Sequence, residues 1–187
     1  MLAVVTGIPG TGKTTVATRA MDILRDEGIV YEMVTYGDVM IDIAKSRKIV
    51  EDRDDMRKLD PNTQREIQES AADRISERGD NILVDTHCSI STPKGYLPGL
   101  PEWVLRKLKP NCIILIEATP EEIAKRRAGD KGRNRDMEME EEIELHQMMN
   151  RSFAAAYSVF TGATVKVINN PQGQVDEAAK EMVEVLR

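Results

Sequence analysis

Residues 7 to 14 read Gly7-Ile8-Pro9-Gly10-Thr11-Gly12-Lys13-Thr14, which satisfies the pattern GxxxxGK[ST] at every position. A Val-rich run at residues 2–6 precedes this segment, and a helical pattern from Thr15 onward follows it. Glycines let the backbone curl so that successive N–H groups point inward, where a helix N-terminus adds partial positive charge. The segment therefore predicts a phosphate-binding loop between a strand and a helix.

The residue types of this loop predict how a nucleoside triphosphate would be held. Lys13 would supply a mobile positive charge at the β- and γ-phosphates, and the Thr14 hydroxyl would join the coordination shell of Mg²⁺. The predicted ATP-binding set is the whole loop with the next residue: Gly7, Ile8, Pro9, Gly10, Thr11, Gly12, Lys13, Thr14 and Thr15. The pattern leaves the reaction open, because kinases, GTPases and ATP-driven machines share it.

Short apolar runs alternate with helical patterns along the rest of the chain. The runs are rich in Val and Ile and have the length of strands: residues 2–6, 30–35, 82–85, 112–117 and 164–168. The helical patterns cover residues 15–27, 62–78, 138–160 and 175–186. Near-continuous apolar runs are typical of strands buried on both faces, so we predict an open α/β fold with a parallel sheet.

Three stretches rich in charge, proline or glycine break this alternation, at residues 48–61, 91–101 and 128–136. Ligands of open α/β sheets bind in the crevice beyond the carboxyl ends of the strands. We predict that the first two stretches lie around that crevice and that the third is a mobile cover.

The composition restricts the classes of function. The 187 residues predict one domain, and a net charge of −6 argues against broad electrostatic binding to nucleic acid or anionic membranes. No apolar segment is long enough to span a bilayer, and residues 1–6 lack the layout of a signal peptide. Cys88 and Cys112 form neither a CxxC pair nor a zinc quartet, so we expect reduced thiols in a cytoplasmic protein.

Several segments together resemble the archaeal type of adenylate kinase. They keep their order over nearly the whole chain: residues 7–15, Tyr36-Gly37-Asp38-Val39-Met40, residues 54–59, Asp85-Thr86-His87, residues 95–101 and Arg133-Asn134-Arg135. The resemblance implies the reaction ATP + AMP ⇌ 2 ADP with Mg²⁺ and a five-stranded parallel sheet flanked by helices. It also implies a mobile AMP-binding element at residues 36–79, a short lid at residues 128–136, and a homotrimer.

The sequence departs from the commoner bacterial and eukaryotic pattern of the family. In that pattern an arginine follows the Gly-Asp pair, whereas this chain has Ile41. In that pattern a Gly-Phe-Pro-Arg segment also stands where this chain has Asp85-Thr86-His87. The cations for the AMP phosphate must therefore come from elsewhere, with Arg57 the first choice and Arg53 the second. The long zinc-binding lid of some bacterial relatives is missing, since residues 128–136 contain no cysteine.

Acceptor chemistry gives independent support for a phosphate acceptor. A phosphate monoester has a second pKa near 6, so its attacking oxygen is largely ionised at neutral pH. Such a reaction needs positioning and charge neutralisation more than it needs a base. It predicts spare arginines around the crevice, which this chain has.

Four arginines bracket the predicted lid: Arg126, Arg127, Arg133 and Arg135. We predict that Arg126, Arg133 and Arg135 act with Lys13 as catalytic residues when the lid closes and excludes water. The alternative for Arg126 and Arg127 is a helix end, where cations interact favourably with the dipole. Neighbours on a helix point about 100° apart, so we expect only one of the two to face the nucleotide, and the family register favours Arg126.

The remaining candidates lie around the predicted acceptor site: Asp38, Arg57, Thr86, His87 and Leu97. Asp38 fits either an N-cap or a residue that orients the acceptor. Asp85 fits a carboxylate near Mg²⁺, through water, or a polar acceptor-site residue, or a turn. His146 is predicted to be an ordinary surface residue, and residues 169–173 to contact the ATP adenine through their backbone.

Two rival functions remain open at this stage. One is a P-loop kinase for another nucleotide or small acceptor. The other is a nucleotide-switched regulatory protein such as a GTPase, against which stands the missing NKxD motif.

Overall fold

The central sheet has five parallel strands, which stand in the order Glu32–Thr35, Ile82–Asp85, Leu2–Thr6, Cys112–Glu117 and Thr164–Asn169. The computed structural model describes residues 1–52, 54–129 and 140–187, and for Arg57, Ala128 and Gly129 it describes the backbone only. The strands are β1 (Leu2–Thr6), β2 (Glu32–Thr35), β3 (Ile82–Asp85), β6 (Cys112–Glu117) and β7 (Thr164–Asn169). The predicted α/β class and parallel sheet are confirmed, with β1, β3 and β6 at the predicted bounds.

Helices cover both faces of this sheet. They are α1 (Lys13–Asp26), α2 (Tyr36–Ser46), α3 (Pro61–Ser76), α4 (Glu102–Leu108), α5 (Pro120–Gly129), α6 (Glu140–Thr161) and α7 (Val175–Leu186). Helices α1 and α7 share a buried core with Ala3 and Val5, whereas Val4 points to the core of α3, α4 and α6. Strands β1, β3 and β6 are buried on both sides, which explains their unbroken apolar runs, whereas the edge strands β2 and β7 are partly exposed. In the parts of the chain described, no helix combines the length and apolarity needed to cross a membrane.

A β-hairpin stands where the sequence predicted only an irregular, Pro- and Gly-rich stretch. Strands β4 (Ser89–Thr92) and β5 (Gly95–Pro98) pair antiparallel directly after β3. Gly95 has φ +114°, and its carbonyl accepts a hydrogen bond from the Thr92 hydroxyl at 2.7 Å. The polar, exposed strands explain why the apolar pattern did not show the hairpin. The hairpin leaves the sheet at the carboxyl end of β3, beside the predicted crevice.

A helical element lies between β2 and β3, made of α2, a 3₁₀ helix (Asp54–Lys58) and α3. Asp60 caps α3 by accepting hydrogen bonds from the backbone N–H groups of Asn62 and Thr63 at 3.0 and 3.1 Å. Helix α2 begins immediately after β2, with Thr35 in the N-cap position. The N-cap alternative for Asp38 is therefore wrong, because Asp38 lies inside the first turn, where its carboxylate suits the positive helix end.

Candidate nucleotide-binding site

The loop after β1 leads directly into the N-terminus of α1. Gly12 takes the N-cap position in a left-handed conformation, with φ 81° and ψ 18°, and no side chain caps the helix. The Thr11 hydroxyl donates to the Ile8 carbonyl at 3.0 Å, which closes the loop on itself. The first turn of α1 is thus free of a competing side-chain acceptor and can receive a phosphate group.

Close packing explains two of the glycines in this loop. A Cβ at Gly7 would lie 2.6 Å from the Ile116 carbonyl oxygen, and one at Gly12 would lie 2.5 Å from Asn170 Nδ2. Both distances are shorter than any normal contact. The end of β6 and the segment after β7 therefore press against the loop and require glycine there.

Lys13 and Asp85 form an ion pair at the mouth of the site. Strands β1 and β3 are parallel neighbours, with Val5 opposite Asp85, so the Asp85 carboxylate emerges beside the loop. The ammonium group of Lys13 donates to this carboxylate, and it also lies 3.5 Å from the Thr86 carbonyl oxygen. The two side chains are 13% and 14% exposed, so the pair is shielded but reachable from solvent.

Arg126 and Arg127, near the end of α5, both reach the loop. Arg126 donates through Nη1 to the carbonyl oxygens of Gly10 and Thr11 at 3.3 and 3.2 Å, and Arg127 donates through Nε to that of Pro9 at 2.8 Å. Their long side chains reach different parts of the curled loop, although their helical positions diverge by about 100°. Which of them touches bound nucleotide stays a prediction in favour of Arg126.

The segment after β7 forms the other wall of the loop. Asn170 is 2% exposed, and its side chain donates through Nδ2 to the Thr11 carbonyl at 2.8 Å. The backbone carbonyl of Asn170 accepts from Arg126 Nη2 at 2.9 Å. A cavity of about 260 Å³ lies between the two walls. Its lining residues come from both of them: Gly12, Thr15, Arg126, Asn170, Pro171, Gln172, Gly173 and Val175. The predicted adenine-contacting segment therefore borders the triphosphate loop. The sequence did not single out the Asn170 side chain.

The predicted acceptor residues lie on three elements. Thr86 is half-buried and its backbone N–H donates to the Val5 carbonyl at 3.2 Å, so it is fixed to the donor strand. Asp38 on α2 and His87 after β3 are exposed, and Leu97 on β5 is 55% exposed. The Arg57 side chain lies outside the described residues, and so do Arg53, Arg133 and Arg135, so their roles stay predictions.

A buried polar network behind His87 was not predicted from the sequence. The Cys88 backbone N–H donates to the Thr6 hydroxyl at 2.8 Å, and the Cys88 carbonyl accepts from the Tyr157 hydroxyl at 2.7 Å. Burial raises the pKa of the Cys88 thiol to about 12 and also raises the pKa of Tyr157. The available signal was the recurrence of Asn150 and Tyr157 on the face of α6 that also carries Ala154.

His146 is not an ordinary surface residue. It is half-buried, its Nε2 lies 3.4 Å from the Ser89 carbonyl oxygen, and its ring lies 5.1 Å from that of Tyr96. The hairpin, which the sequence did not predict, covers this part of α6 and explains the difference.

The comparisons with known proteins agree on family and fold. A family model described as "AAA domain" matches residues 6–144. The chain is 52% identical to the adenylate kinase of Methanococcus aeolicus, covering 100% of this chain and 97% of that protein. It is 54% identical to the adenylate kinase of Methanopyrus kandleri, covering 98% and 96%. The shikimate kinase of Acinetobacter baumannii, solved with shikimate, superposes with a TM-score of 0.57 over 99% of this chain and 92% of that one, at 14% identity, which supports the fold alone.

Proposed function

Because this chain belongs to the adenylate kinase family, we propose that it catalyses the reversible, Mg²⁺-dependent reaction ATP + AMP ⇌ 2 ADP. The observation that carries this proposal is the Lys13–Asp85 ion pair, which joins the triphosphate loop to the segment Asp85-Thr86-His87. Lys13 would then be a mobile cation at the boundary between the proposed donor site and the neighbouring crevice. A phosphoryl group in transfer needs positive charge at that boundary.

The proposed mechanism is in-line transfer from ATP to the AMP phosphate without a covalent enzyme intermediate. The amides of the loop and the first turn of α1 hold the triphosphate, and Lys13 leaves Asp85 to neutralise the transferring phosphoryl group. Arg126 adds a second cation, since its guanidinium already lies on the loop. The AMP oxygen is ionised at neutral pH, so no general base is required.

Magnesium fits the donor groups of this site. Mg²⁺ takes oxygen ligands, keeps several waters, and is held in kinases by one or two protein groups together with the phosphates. The Thr14 hydroxyl lies exposed in the first turn of α1, and Asp85 supplies a carboxylate at the mouth. Thr14 would bind the ion directly and Asp85 through water. The bound ion would neutralise charge on the β- and γ-phosphates.

We further propose that Asp38, Arg57, Thr86, His87 and Leu97 bind AMP. Arg57 would anchor the AMP phosphate, and Arg133 and Arg135 would close over the transferring group with Arg126. These assignments rest on the resemblance of the chain to the archaeal type of the family. If Arg57 anchors AMP, Arg57→Ala should raise the KM for AMP more than that for ATP. A selective loss of ATP affinity would show that Arg57 acts in the ATP site and that its assignment to AMP is wrong.

An acceptor panel tests the proposed reaction. ATP with Mg²⁺ is offered with AMP, CMP, UMP, GMP or a nucleoside, and ADP formation is followed by a coupled assay. We expect ADP with AMP at the highest kcat/KM, and none when Mg²⁺ is removed with EDTA. A preference for another acceptor would favour the rival small-molecule kinase. Hydrolysis of GTP without stimulation by any acceptor would favour a switch protein.

An apolar stripe on α6 supports a homo-oligomer, and we propose the trimer that the family resemblance implies. Leu145, Met148 and Val159 are 43%, 55% and 90% exposed, and with Ser152 and Ala155 they follow a spacing of three and four residues. A helix face with this spacing can pack against its own copy. Val159→Lys should reduce the mass in sedimentation to that of a monomer, whereas Val30→Lys, on an exposed loop, should leave it unchanged. An unchanged mass for Val159→Lys would remove α6 from the interface.

We place the enzyme in the cytoplasm, because Cys88 and Cys112 are both buried thiols of the kind that a reducing compartment maintains. Cell fractionation with the tagged full chain tests this assignment, and recovery in a secreted fraction would contradict it.

A further inference from the structure

We propose that Asn150, on α6, is a positioning residue for the acceptor: it holds the turn after β3 in the geometry that AMP binding requires. The proposal rests on the proposed function, since it takes residues 85–87 as part of the acceptor site. Asn150 is not predicted to touch nucleotide, because it is 4% exposed and lies behind the turn.

The Asn150 side chain satisfies two donors of one residue. Its Oδ1 accepts from the Ser89 backbone N–H at 3.1 Å and from the Ser89 hydroxyl at 2.6 Å. Its backbone carbonyl accepts from the Cys88 thiol at 3.3 Å. Ser89 and Cys88 are 3% and 1% exposed, so water cannot take over these bonds. The amide side chain of Asn150 therefore fixes Ser89, and the backbone carbonyl of the same residue fixes Cys88.

The same turn is tied to the donor site from the opposite side. The Thr6 hydroxyl accepts from the Cys88 backbone N–H at 2.8 Å, and the Val5 carbonyl accepts from that of Thr86 at 3.2 Å. Thr6 immediately precedes Gly7, the first residue of the triphosphate loop. Asn150 and Thr6 thus hold the turn between them, and they fix its distance from the donor phosphates.

This arrangement suits a reaction that depends on alignment. Two phosphates must be held in line, and a small misplacement of one partner is costly even when every contacting residue is present. The last paired residue of β3 is Asp85, so only Thr86 and His87 lie between this pairing and Cys88, which is bonded to Thr6. A shift at Ser89 is therefore transmitted to residues that we expect to meet AMP.

The test is Asn150→Leu, which keeps the approximate shape and leaves the Ser89 donors without an acceptor. We expect the KM for AMP to rise about tenfold. A tenfold change corresponds to about 1.4 kcal/mol, which lies within the free-energy cost of leaving a buried donor without its acceptor. The KM for ATP should change by less than about twofold, since the described Asn150 side-chain bonds go to Ser89, three residues beyond Thr86, the last turn residue that Lys13 contacts. Equal changes in both KM values would show a general structural role and overturn the proposal.

Gln147→Leu is the matched control. Gln147 is 7% exposed, lies one turn earlier on α6, and also bonds to backbone, but to the N–H and carbonyl of Ala118 after β6. We expect it to lower stability without changing the KM for AMP. If Gln147→Leu raises that KM as much as Asn150→Leu does, the effect belongs to α6 as a whole and the proposal fails.

A second variant covers the case in which Asn150→Leu does not fold. Ser89→Ala removes the 2.6 Å hydroxyl bond and keeps the backbone bond, so it should raise the KM for AMP by about two- to fivefold. The double variant Ser89→Ala/Asn150→Leu should show less than the product of the single effects. An unchanged KM for AMP in Ser89→Ala would contradict the proposal. If the wild-type enzyme makes no ADP from ATP and AMP, the proposed reaction itself has failed.

Discussion

The ammonium group of Lys13 is bound to the carboxylate of Asp85, which emerges from the neighbouring parallel strand. The P-loop lysine thus starts from an ion pair with a residue of the predicted acceptor segment. In the proposed mechanism, ATP binding replaces this pair with contacts between Lys13 and phosphate oxygens. Because both side chains are only partly exposed, the charge is held in place rather than dispersed into solvent.

The first prediction concerns Lys13. Lys13→Ala should lower kcat by about 10²–10³-fold, because one preorganised positive charge at the transferring phosphoryl group is lost. Far-UV circular dichroism should stay unchanged, since the core residues of β1 and α1 do not depend on the Lys13 side chain. Lys166→Ala, which removes an exposed lysine paired with Glu181 on the far edge, serves as the control. Wild-type turnover in Lys13→Ala would remove the mechanism.

The second prediction separates the two arginines of α5. Arg126→Ala should lower kcat/KM for ATP by about 10–100-fold, because Arg126 contacts both the triphosphate loop and the segment after β7. Arg127→Ala should lower kcat/KM for ATP by less than about threefold, since Arg127 donates to the Pro9 carbonyl and does not share the Arg126 bond to the segment after β7. Lys125→Ala, on the same helix and paired with Glu121, is the neutral control. The reverse order of the two arginine effects would assign the nucleotide contact to Arg127.

The third prediction concerns the approach of the hairpin to the turn after β3. A Cβ at Gly99 would lie 1.8 Å from the His87 carbonyl oxygen, so Gly99→Ala must displace backbone. We expect a loss of about 3 kcal/mol in the free energy of unfolding, measured with urea. Gly37→Ala is the control, because it has open space and an ordinary φ in α2, and it should be neutral or stabilising by up to about 1 kcal/mol. Equal free energies of unfolding for Gly99→Ala and Gly37→Ala would contradict the close approach of Gly99 to the His87 carbonyl.

The strands and the loop after β1 were predictable because each depends on a local pattern. The apolar runs of β1, β3 and β6 predicted the observed bounds, since these strands are buried on both faces and each run ends at a single polar residue: Thr6, Asp85 or Glu117. The β4–β5 hairpin was not predicted, because most of its positions are exposed and form no apolar run. The start of α2 was not predicted, because the helix begins at Tyr36 without a linker after β2, before the N-cap candidate Asp38.

The contacts that build the site were less predictable, because they join residues far apart in the chain. The Thr11 carbonyl meets Asn170, and the Cys88 backbone N–H meets Thr6. Such pairings depend on strand order, which a single sequence does not contain. The contacts of both Arg126 and Arg127 with the loop likewise follow from how α5 ends against it.

The fourth prediction concerns pH and the two buried thiols. Burial raises the pKa of Cys88 to about 12 and that of Cys112 to about 11, whereas an unfolded thiol titrates near 8.5. Between these values the unfolded chain has lost protons that the native chain keeps, so stability falls as pH rises. The contribution is fully present below about pH 8.5.

Urea unfolding at pH 7.5 and pH 10 measures this effect, and the wild type should lose about 1.5–2 kcal/mol per thiol over that interval. The double variant Cys88→Ala/Cys112→Ala is the comparison, because it keeps the tyrosines and lysines that also titrate at high pH. Its stability should fall by about 3–4 kcal/mol less than that of the wild type between the two pH values. Parallel losses in the two proteins would mean that the thiols ionise in the native state as readily as in the unfolded chain.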